Sequence, residues 1–514
     1  PGRSDNVAEE LLIDVSPFES RVALVKNGAV EEVHLARSAG YSATGNMYLG
    51  KVVRVIPGMQ AAFVDIGLER PGFLHASDIA RPLVATATAT ATDSAKGERG
   101  IRDLLHDGQE LLVQVERDPI GAKGARLSTN LALASKYLVL MPSGDQVGLS
   151  QKITDESERV RLFKLLRPLA ESADMGLIAR TLSEGSAASS LADDFSHLMH
   201  HWTRALKTAE GAKAPCLVFQ ELPIQTRLVR DLVGSETTSI FVNDAEIFQR
   251  LRDYLNQYAS DYIDRLRLYT DTQPLFGRHS IEREILAALE PRVRLNSGGT
   301  LVIEQTEALT SIDVNTAGFL GRQNLEETAF ITNMEAAAVI PRQLRLRNLG
   351  GIIVIDFIDM QDAEHQKAVL AKLKEALDRD PAKSQIEGFS FLGLVQLSRK
   401  RTRESLAQVM CEGCRHCDGS GFVKTAETTC MEIFREMTAE HRAEVNVPNM
   451  TTSPKNTGVY VLTSNAEVVD RLLDEEATVY QALVAKMSHE VRLEVDSAYR
   501  HDQFDLVFVP GRAS

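Results

Sequence analysis

The chain has 514 residues, of which 44% are hydrophobic and 25% charged, an ordinary balance for a soluble globular protein of several domains. No apolar run approaches the roughly 20 residues of a membrane span, and the first residues, PGRSDNVAEELL, lack the apolar core of a signal peptide. A cytoplasmic location is therefore expected. The net charge of −14 argues against a nucleic-acid partner unless basic residues are concentrated locally.

Alternating residues predict that the chain begins with β-structure. Residues 10–35, which contain a Lys-Asn-Gly turn, predict a hairpin and a third strand. Residues 46–79, with short β-branched runs broken by Pro-Gly and Ile-Gly, predict a small closed barrel that the run at 110–118 completes. The low-complexity segment 84–100 is predicted to be a loop inserted into that barrel.

Aromatic residues of the predicted barrel are candidates for nucleic-acid binding. Phe63 and Phe73 offer platforms on which unpaired bases could stack, as in barrels of the OB type. Tyr48, Lys51 and Lys123 are expected to contribute to the same surface. The alternative is that each phenylalanine belongs to the barrel core, which is the more frequent role of a lone Phe in a small barrel.

The rest of the chain predicts mixed and helical segments. Residues 226–290 are predicted to be largely helical and to end in a helix for which Ser280 is the N-cap. The other segments are strands and helices over 120–225, with helices at 155–173 and 189–209, alternating strands and helices over 292–400, and a small α+β segment over 426–514.

Two apolar runs, TSIDVNT and GGIIVIDFIDM, each end in a carboxylate. The letters IIVID are typical of a parallel strand buried on both faces, and functional groups gather at the carboxyl ends of such strands. Asp313 and Asp356, with Asn315 on the same side of its strand as Asp313, form a candidate Mg²⁺ site. A metal there could lower the pKa of a water and offset phosphoryl charge. The alternative is that these acids cap turns at strand ends.

Cations follow both acids in sequence and are expected to surround the candidate metal site, unless they form a solvated helix face. They are Arg342, Arg345, Arg347, Lys383, Arg399, Lys400, Arg401 and Arg403.

Three cysteines in CEGCRHCDGSG have the spacing of zinc ligands. Cys411, Cys414 and Cys417 could bind Zn²⁺ together with His416 of the same chain. Alternatively, two chains could each donate two cysteines, which would make the metal an assembly clamp. Redox use of the CxxC spacing is a third possibility, although no thioredoxin-like setting accompanies it.

Together these segments resemble the RNase E/G family of bacterial endoribonucleases, and the resemblance runs from ELLIDVSPFESRVA to FDLVFV. The strongest matches are GNMYLGKVVRVIPGMQAAFVDIG, EQTEALTSIDVNT, PRQLRLRNLGGIIVIDFIDM and the cysteine cluster. The sequence is most similar to the ribonuclease G branch, because the long disordered C-terminal arm of ribonuclease E has no counterpart in it. The catalytic half of ribonuclease E is the alternative.

The resemblance implies a multidomain α/β and α+β fold. The expected parts are an RNase H-like subdomain in two pieces (1–41 and 226–290), an OB-fold RNA-binding domain (42–129), a 5′-sensor domain (130–225), a DNase I-like catalytic subdomain (291–410), a zinc link (411–425) and a small dimerisation domain (426–514).

The resemblance also implies roles for individual residues. Asp313 and Asp356 match the family's magnesium ligands, and Asn315 matches its partner amide. The positions that hold single-stranded RNA are Phe63, Phe73 and Lys123. The positions around a 5′-monophosphate are Arg180 and Thr181, the backbone rim at Ser135 and Val139, and Lys383, which replaces an arginine of ribonuclease E. The zinc ligands are Cys414 and Cys417, with Cys411 as an extra or alternative ligand.

The implied activity is Mg²⁺-dependent internal cleavage of single-stranded RNA, stimulated by a 5′-monophosphate and giving 3′-hydroxyl and 5′-phosphate products. Ribosomal RNA precursors and messenger RNA are the expected substrates. The implied assembly is a homodimer or homotetramer that shares structural Zn²⁺ between chains. Two other functions stay open from the sequence: a non-catalytic RNA-binding scaffold, and a metal-dependent phosphatase or nuclease acting on small nucleotides or DNA.

Overall fold

The computed structural model describes residues 8–37, 42–80, 100–119, 124–316, 325–401, 403–445 and 458–510. The chain divides into two compact units, Pro1–Met410 and Cys411–Ser514, called here the first and the second unit. Within the described ranges, no helix has the length and apolar character that crossing a membrane requires.

The described residues of the first unit form 21 strands and nine helices. The strands are β1 (Glu9–Val15), β2 (Glu19–Lys26), β3 (Ala29–Arg37), β4 (Met47–Ile56), β5 (Ala61–Asp65), β6 (Gly72–His75), β7 (Glu110–Arg117), β8 (Arg126–Ser128), β9 (Leu133–Ala134), β10 (Leu138–Met141), β11 (Val147–Leu149), β12 (Gly176–Ala179), β13 (Cys216–Phe219), β14 (Thr237–Val242), β15 (Leu266–Leu268), β16 (Arg292–Arg294), β17 (Thr300–Gln305), β18 (Leu309–Asn315), β19 (Gly351–Asp356), β20 (Ser384–Phe389) and β21 (Leu394–Arg399). The helices are α1 (Ile101–Leu104), α2 (Glu156–Ala173), α3 (Ala188–Glu210), α4 (Ile224–Leu232), α5 (Ala245–Tyr258), α6 (Ile281–Ala287), α7 (Leu325–Leu346), α8 (Ala363–Leu377) and α9 (Leu406–Met410).

The first sheet joins the N-terminal hairpin to later strands in the order β15-β14-β1-β2-β3. The predicted hairpin is confirmed, and its turn has positive φ at Asn27 (53°) and Gly28 (79°), as a two-residue hairpin turn requires. The prediction that residues 226–290 are largely helical is incomplete, because β14 and β15 lie there and pair parallel with β1 and with each other. Ser280 precedes α6, but its side chain makes no capping hydrogen bond.

The predicted barrel is confirmed. Strands β4-β5-β6-β8-β7 follow one another, and pairing of β4 with β7 closes the cylinder, while β13 adds to the outer edge of β4. Val52, Val64, Leu74, Val113 and Leu127 are at most 1% exposed and fill its interior. Most of the predicted low-complexity loop falls outside the described residues.

A third sheet, of order β11-β12-β10-β9, packs against α2 and α3. The two helices predicted here are confirmed, and α2 begins at Asp155, whose carboxylate accepts a hydrogen bond from the backbone of Ser157. Leu138, Leu162 and Leu198 belong to the core between sheet and helices. This sheet positions the residues expected to bind a 5′-phosphate.

The fourth sheet, of order β16-β17-β18-β19-β21-β20, carries the candidate acids. Helices α7 and α8 cover one of its faces, and Ile353 and Ile355 are fully buried against them. The prediction that IIVID is buried on both faces is wrong, because Ile352, on the opposite face, is 58% exposed. The sheet therefore has an open face, and its polar residues alternate with core residues along each strand.

The second unit is a small α+β structure. Its elements are α10 (Ala426–Val445), β22 (Gly458–Ser464), α11 (Ala466–Leu473), α12 (Ala477–Val484), β23 (Glu490–Val495) and β24 (Phe504–Pro510). The sheet has the order β23-β22-β24. Ile433, Leu462 and Leu472 are buried in its core. Two short helices, α11 and α12, connect β22 to β23, and the predicted α+β character of this segment is confirmed.

Candidate functional site

The two candidate acids lie side by side at the end of neighbouring parallel strands. Asp313 of β18 is in register with Asp356 of β19. Asn315, two residues after Asp313 on the same open face, donates a hydrogen bond from Nδ2 to Asp313 Oδ2 at 2.6 Å. On the opposite face Ile312 and Ile355 enter the core, which fixes the direction of the acids.

Electrostatic repulsion is concentrated at this edge. Burial raises the pKa of Asp356, and the carboxylates of Asp313 and Asp359 raise it further. Within the described part of the chain, no group of three or more His, Cys, Asp or Glu side chains is gathered as a metal cluster. Mg²⁺ does not require one, because it binds to one or two carboxylates and completes its shell with water and substrate phosphate. The paired acids therefore fit Mg²⁺.

Helix α7 holds the segment that follows Asp356 through two residues, Asn333 and Glu326, that were not predicted from the sequence. Asn333 is fully buried, donates from Nδ2 to the carbonyl of Ile358 at 2.8 Å and accepts from the Ile358 N–H at 3.1 Å. The carboxylate of Glu326 accepts from the backbone of Gln361. The available signal was an asparagine amid the apolar positions of a predicted helix.

The prediction that arginines surround the acids is wrong. Asp356 ends β19, whereas Arg399 pairs with Gly351 at its beginning, about 17 Å away at 3.3 Å per residue. There Arg399 forms a buried pair with Asp380, and Arg342 forms an ion pair with Glu284. These two arginines therefore pair with carboxylates elsewhere in the first unit and not with Asp313 or Asp356.

The barrel presents an aromatic surface. Phe63 and Phe73 face each other on β5 and β6, are half-buried, and have ring centroids 6.0 Å apart. They alternate with core residues, so their rings lie on the outer surface of the barrel. Arg54 is exposed and in register with Phe63. Arg54 was not among the residues predicted from the sequence. Tyr48 is buried, and Lys123 lies outside the described residues.

Four of the candidate phosphate-binding residues lie in the third sheet or directly after its strands. Val139 lies on β10, which is paired with β9 on one side and β12 on the other. Ser135 directly follows β9, and Arg180 directly follows β12. Arg180 donates from Nη1 to the carbonyl of Ser135 at 2.6 Å and from Nη2 to Asp231 at 2.7 Å. These contacts fix the guanidinium and leave three of its five N–H groups for another acceptor. Thr181 follows directly and is exposed.

The Arg180 contact belongs to a larger charged network. Burial raises the pKa of Asp231, but Arg230 and then Arg180 outweigh that effect and hold the pKa below its ordinary value. Buried Arg230 also contacts Glu221 at 3.0 Å. Asp231 is therefore ionised at neutral pH and anchors both guanidinium groups.

Lys383 is exposed and is connected to Thr181 only indirectly, through a chain of contacts. The hydroxyls of Thr181 and Ser150 are 3.0 Å apart. Lys152, two residues further, donates from Nζ to the carbonyl of Asp380 at 3.1 Å, three residues before Lys383. The fourth sheet is thus connected to the third beside the candidate sensor.

The cysteine segment forms a turn in which backbone N–H groups face a thiol. Gly421 donates its N–H to Cys417 Sγ at 3.4 Å. Hydrogen bonds from Gly421, Gly419 and Cys414, in this order, lower the pKa of Cys417. Cys414 and Cys417 are thus neighbours with a stabilised thiolate, which suits Zn²⁺. The possible role of Cys411 stays a prediction.

Comparisons with known proteins give one consistent result. A sequence model described as the ribonuclease E/G family matches residues 132–402. Ribonuclease G of Escherichia coli K12 is 41% identical over 97% of this chain and 99% of its own length, and ribonuclease G of Haemophilus influenzae is 40% identical over the same shares. Ribonuclease E of Escherichia coli K12 is 39% identical over 86% of this chain, which spans 42% of that protein.

Proposed function

Because the chain is an endoribonuclease of the ribonuclease E/G family, we propose that it cleaves single-stranded RNA in a Mg²⁺-dependent reaction. The expected products carry a 3′-hydroxyl and a 5′-phosphate. The observation that carries the proposal is the register pairing of Asp313 with Asp356 on an open sheet face. Such a face admits a polynucleotide, whereas acids capping a turn need no shared register.

Asp313 and Asp356 would hold the Mg²⁺. When bound, the metal supplies an activated water and offsets the charge that develops on the phosphoryl group. Asn315 orients Asp313 by donating to one of its carboxylate oxygens. Asn333 fixes the backbone after Asp356 from beneath the sheet, so that the acids keep their spacing when the metal and RNA are absent.

The acid assignment is tested with Asp313→Asn and Asp356→Asn. Each substitution keeps the size of the side chain and removes a charge, so turnover should fall at least about 100-fold while RNA binding, measured by fluorescence anisotropy, stays. Glu364→Gln, an exposed acid paired with Lys367 on α8, is the matched control and should cleave normally. Normal cleavage by Asp313→Asn would refute the assignment. RNA binding by the wild-type chain without cleavage would instead support a non-catalytic scaffold.

Phe63 and Phe73, with Arg54 beside them, are proposed to hold the RNA strand. Stacking of one base on an aromatic ring contributes about 1–3 kcal/mol, and every base offers a π-face, which suits recognition of unpaired RNA. Phe63→Ala should therefore raise the Kd for a single-stranded oligoribonucleotide about 5- to 150-fold. An unchanged Kd would remove this surface from the proposal.

A 5′-monophosphate is proposed to bind at Arg180 and Thr181, near Lys383. The fixed guanidinium of Arg180 and the exposed hydroxyl of Thr181 offer donors for phosphate oxygens. A lysine at 383 keeps the charge but cannot form the two parallel hydrogen bonds of an arginine. Substrates with 5′-monophosphate and 5′-hydroxyl ends should be cleaved at different rates by the wild type and at equal rates by Arg180→Ala. Equal rates in the wild type would contradict the sensor.

Cys414 and Cys417 of two chains are proposed to share a Zn²⁺ within a homodimer or homotetramer. Cys417→Ser should abolish zinc binding, measured by atomic absorption, and lower the mass found by analytical ultracentrifugation. An unchanged mass would show that assembly does not depend on this link. Maturation of ribosomal RNA precursors and decay of messenger RNA in the cytoplasm are the proposed cellular roles, by analogy with the family.

A further inference from the structure

The loop between β20 and β21 is a rigid hairpin turn. Ser390 and Leu394 close it with a backbone hydrogen bond of 2.8 Å, and Gly393 donates its N–H to Ser390 at 3.0 Å. The hydroxyl of Ser390 also accepts from the backbone of Leu394 at 3.2 Å. Gly393 has φ +79°, which completes a three-residue turn with a left-handed third position. The two residues at the tip are therefore held in place by the backbone.

Both tip residues are apolar and face solvent. The Phe391 side chain is 95% exposed and Leu392 is 65% exposed, which makes Phe391 the most exposed of the large hydrophobic residues in the described chain. A turn has no structural need for a phenylalanine at this position, since Phe391 contributes nothing to the core beneath it. A solvated aromatic ring carried on a backbone held in place is a feature of surfaces that bind a planar partner.

This tip adjoins the candidate acids. Leu394, at the base of the turn, is in register with Asp356 across the β19–β21 pair. Gly393 lies so close to Asp359 that a Cβ added to it would stand 3.5 Å from the carboxylate. The turn and the acids thus lie at the same edge of the sheet. An RNA strand bound at the acids would therefore pass the ring of Phe391.

We propose that Phe391 is a base-stacking residue for the nucleotide next to the scissile phosphate. The inference deepens the proposed nuclease function and rests on it. The acids engage the sugar–phosphate backbone, which carries no base identity, whereas the ring engages a base. A base held in a duplex is stacked within its helix and cannot lie on the ring. Phe391 therefore favours cleavage at unpaired positions and sets which bond is placed at the acids.

The test compares Phe391→Ala with Phe391→Trp, which keeps a stacking surface. Phe18→Ala is the matched control, since Phe18 is 72% exposed in the turn between β1 and β2. Cleavage of an A/U-rich oligoribonucleotide by Phe391→Ala should lose about 5- to 150-fold in kcat/KM, the range of one stacked base. Phe391→Trp and Phe18→Ala should retain wild-type rates. The cleavage positions of Phe391→Ala should also spread over more bonds.

A second readout does not require cleavage. The fluorescent base 2-aminopurine is placed at each position of the RNA in turn, and each RNA is bound to the Asp313→Asn variant. Stacking on Phe391 should quench the 2-aminopurine fluorescence at one position. The double variant Asp313→Asn, Phe391→Ala should restore the emission at that position. Wild-type rates and unchanged quenching in Phe391→Ala would overturn the stacking role and leave the nuclease proposal intact. A change in sedimentation of Phe391→Ala with quenching unaffected would assign the ring to a protein interface and also overturn it.

Discussion

Replacing Asn333 by alanine should loosen the candidate active site without touching any group that meets RNA. The side chain of Asn333 is fully buried in α7 and uses both ends of its amide on one residue, Ile358. Ile358 lies between Asp356 and Asp359, so these two hydrogen bonds determine where the backbone runs after the first acid. Alanine removes both at once and leaves the half-buried N–H and carbonyl of Ile358 without their partner.

The magnitude follows from those two bonds. A typical intramolecular hydrogen bond contributes about 0.5–1.5 kcal/mol net, so losing two costs about 1–3 kcal/mol, and more if water cannot reach the abandoned groups. Since 1.4 kcal/mol is a factor of about ten, the opening equilibrium of this segment should rise about 5- to 150-fold. Asn333→Asp keeps an acceptor for the Ile358 N–H and should have a smaller effect there.

Hydrogen exchange followed by mass spectrometry on a peptide spanning 351–360 measures this directly. The Ile358 amide should exchange about 5- to 150-fold faster in Asn333→Ala than in the wild type, and kcat for RNA cleavage should fall in the same variant. Exchange of peptides from the barrel should not change. If the Ile358 amide keeps its wild-type protection, the conclusion that Asn333 holds this segment is wrong, whatever happens to cleavage.

Two further perturbations test stability. The carboxylate of Asp380 pairs with buried Arg399 through contacts of 2.8 and 3.1 Å, so Asp380→Asn should lower the free energy of unfolding by about 3–5 kcal/mol in urea titrations. The control Glu375→Gln, in an exposed ion pair with Arg379, should change the free energy of unfolding by less than about 1 kcal/mol. Burial, and then the Arg403 guanidinium, lower the pKa of His34 to about 4 from an ordinary 6.5. As the pH falls, the unfolded chain therefore binds the proton before the folded chain does. The neutral imidazole of His34 thus contributes about 3 kcal/mol to the free energy of unfolding, which is complete above pH 6.5 and is lost as the pH falls to about 4. His34→Gln should flatten that part of the profile, and an unchanged acid limb would contradict it.

Much of the fold was predictable because it rests on local patterns. The Lys-Asn-Gly turn and the alternation before and after it determine the first hairpin, and short β-branched runs between glycines determine the barrel. The acids were also found in this way, since a carboxylate after an apolar run marks the end of a strand. Register was not predictable, and it is the parallel pairing of β18 with β19 that sets Asp313 beside Asp356.

The errors share a physical cause, which is that sequence does not state which face or end of an element is covered. IIVID was expected to be buried on both faces, yet among the described residues α7 and α8 cover one face of the sheet, and Ile352 on the other face is exposed. Arg399 follows the acids in sequence, but the strand direction carries it to the far end of β19, and Arg342 of α7 pairs with Glu284 instead. Asn333 was missed because its partner, Ile358, lies 25 residues away in sequence.

The central claim is that Asp313 and Asp356 hold the metal at which RNA is cut. It is tested most directly by a cleavage time course on an A/U-rich, 5′-monophosphorylated oligoribonucleotide, with wild-type and Asp313→Asn chains, in Mg²⁺ and in excess chelator. Internal cleavage, with 3′-hydroxyl and 5′-phosphate ends, is expected only from the wild type in Mg²⁺. Comparable cleavage by Asp313→Asn, or by the wild type in chelator, would contradict it.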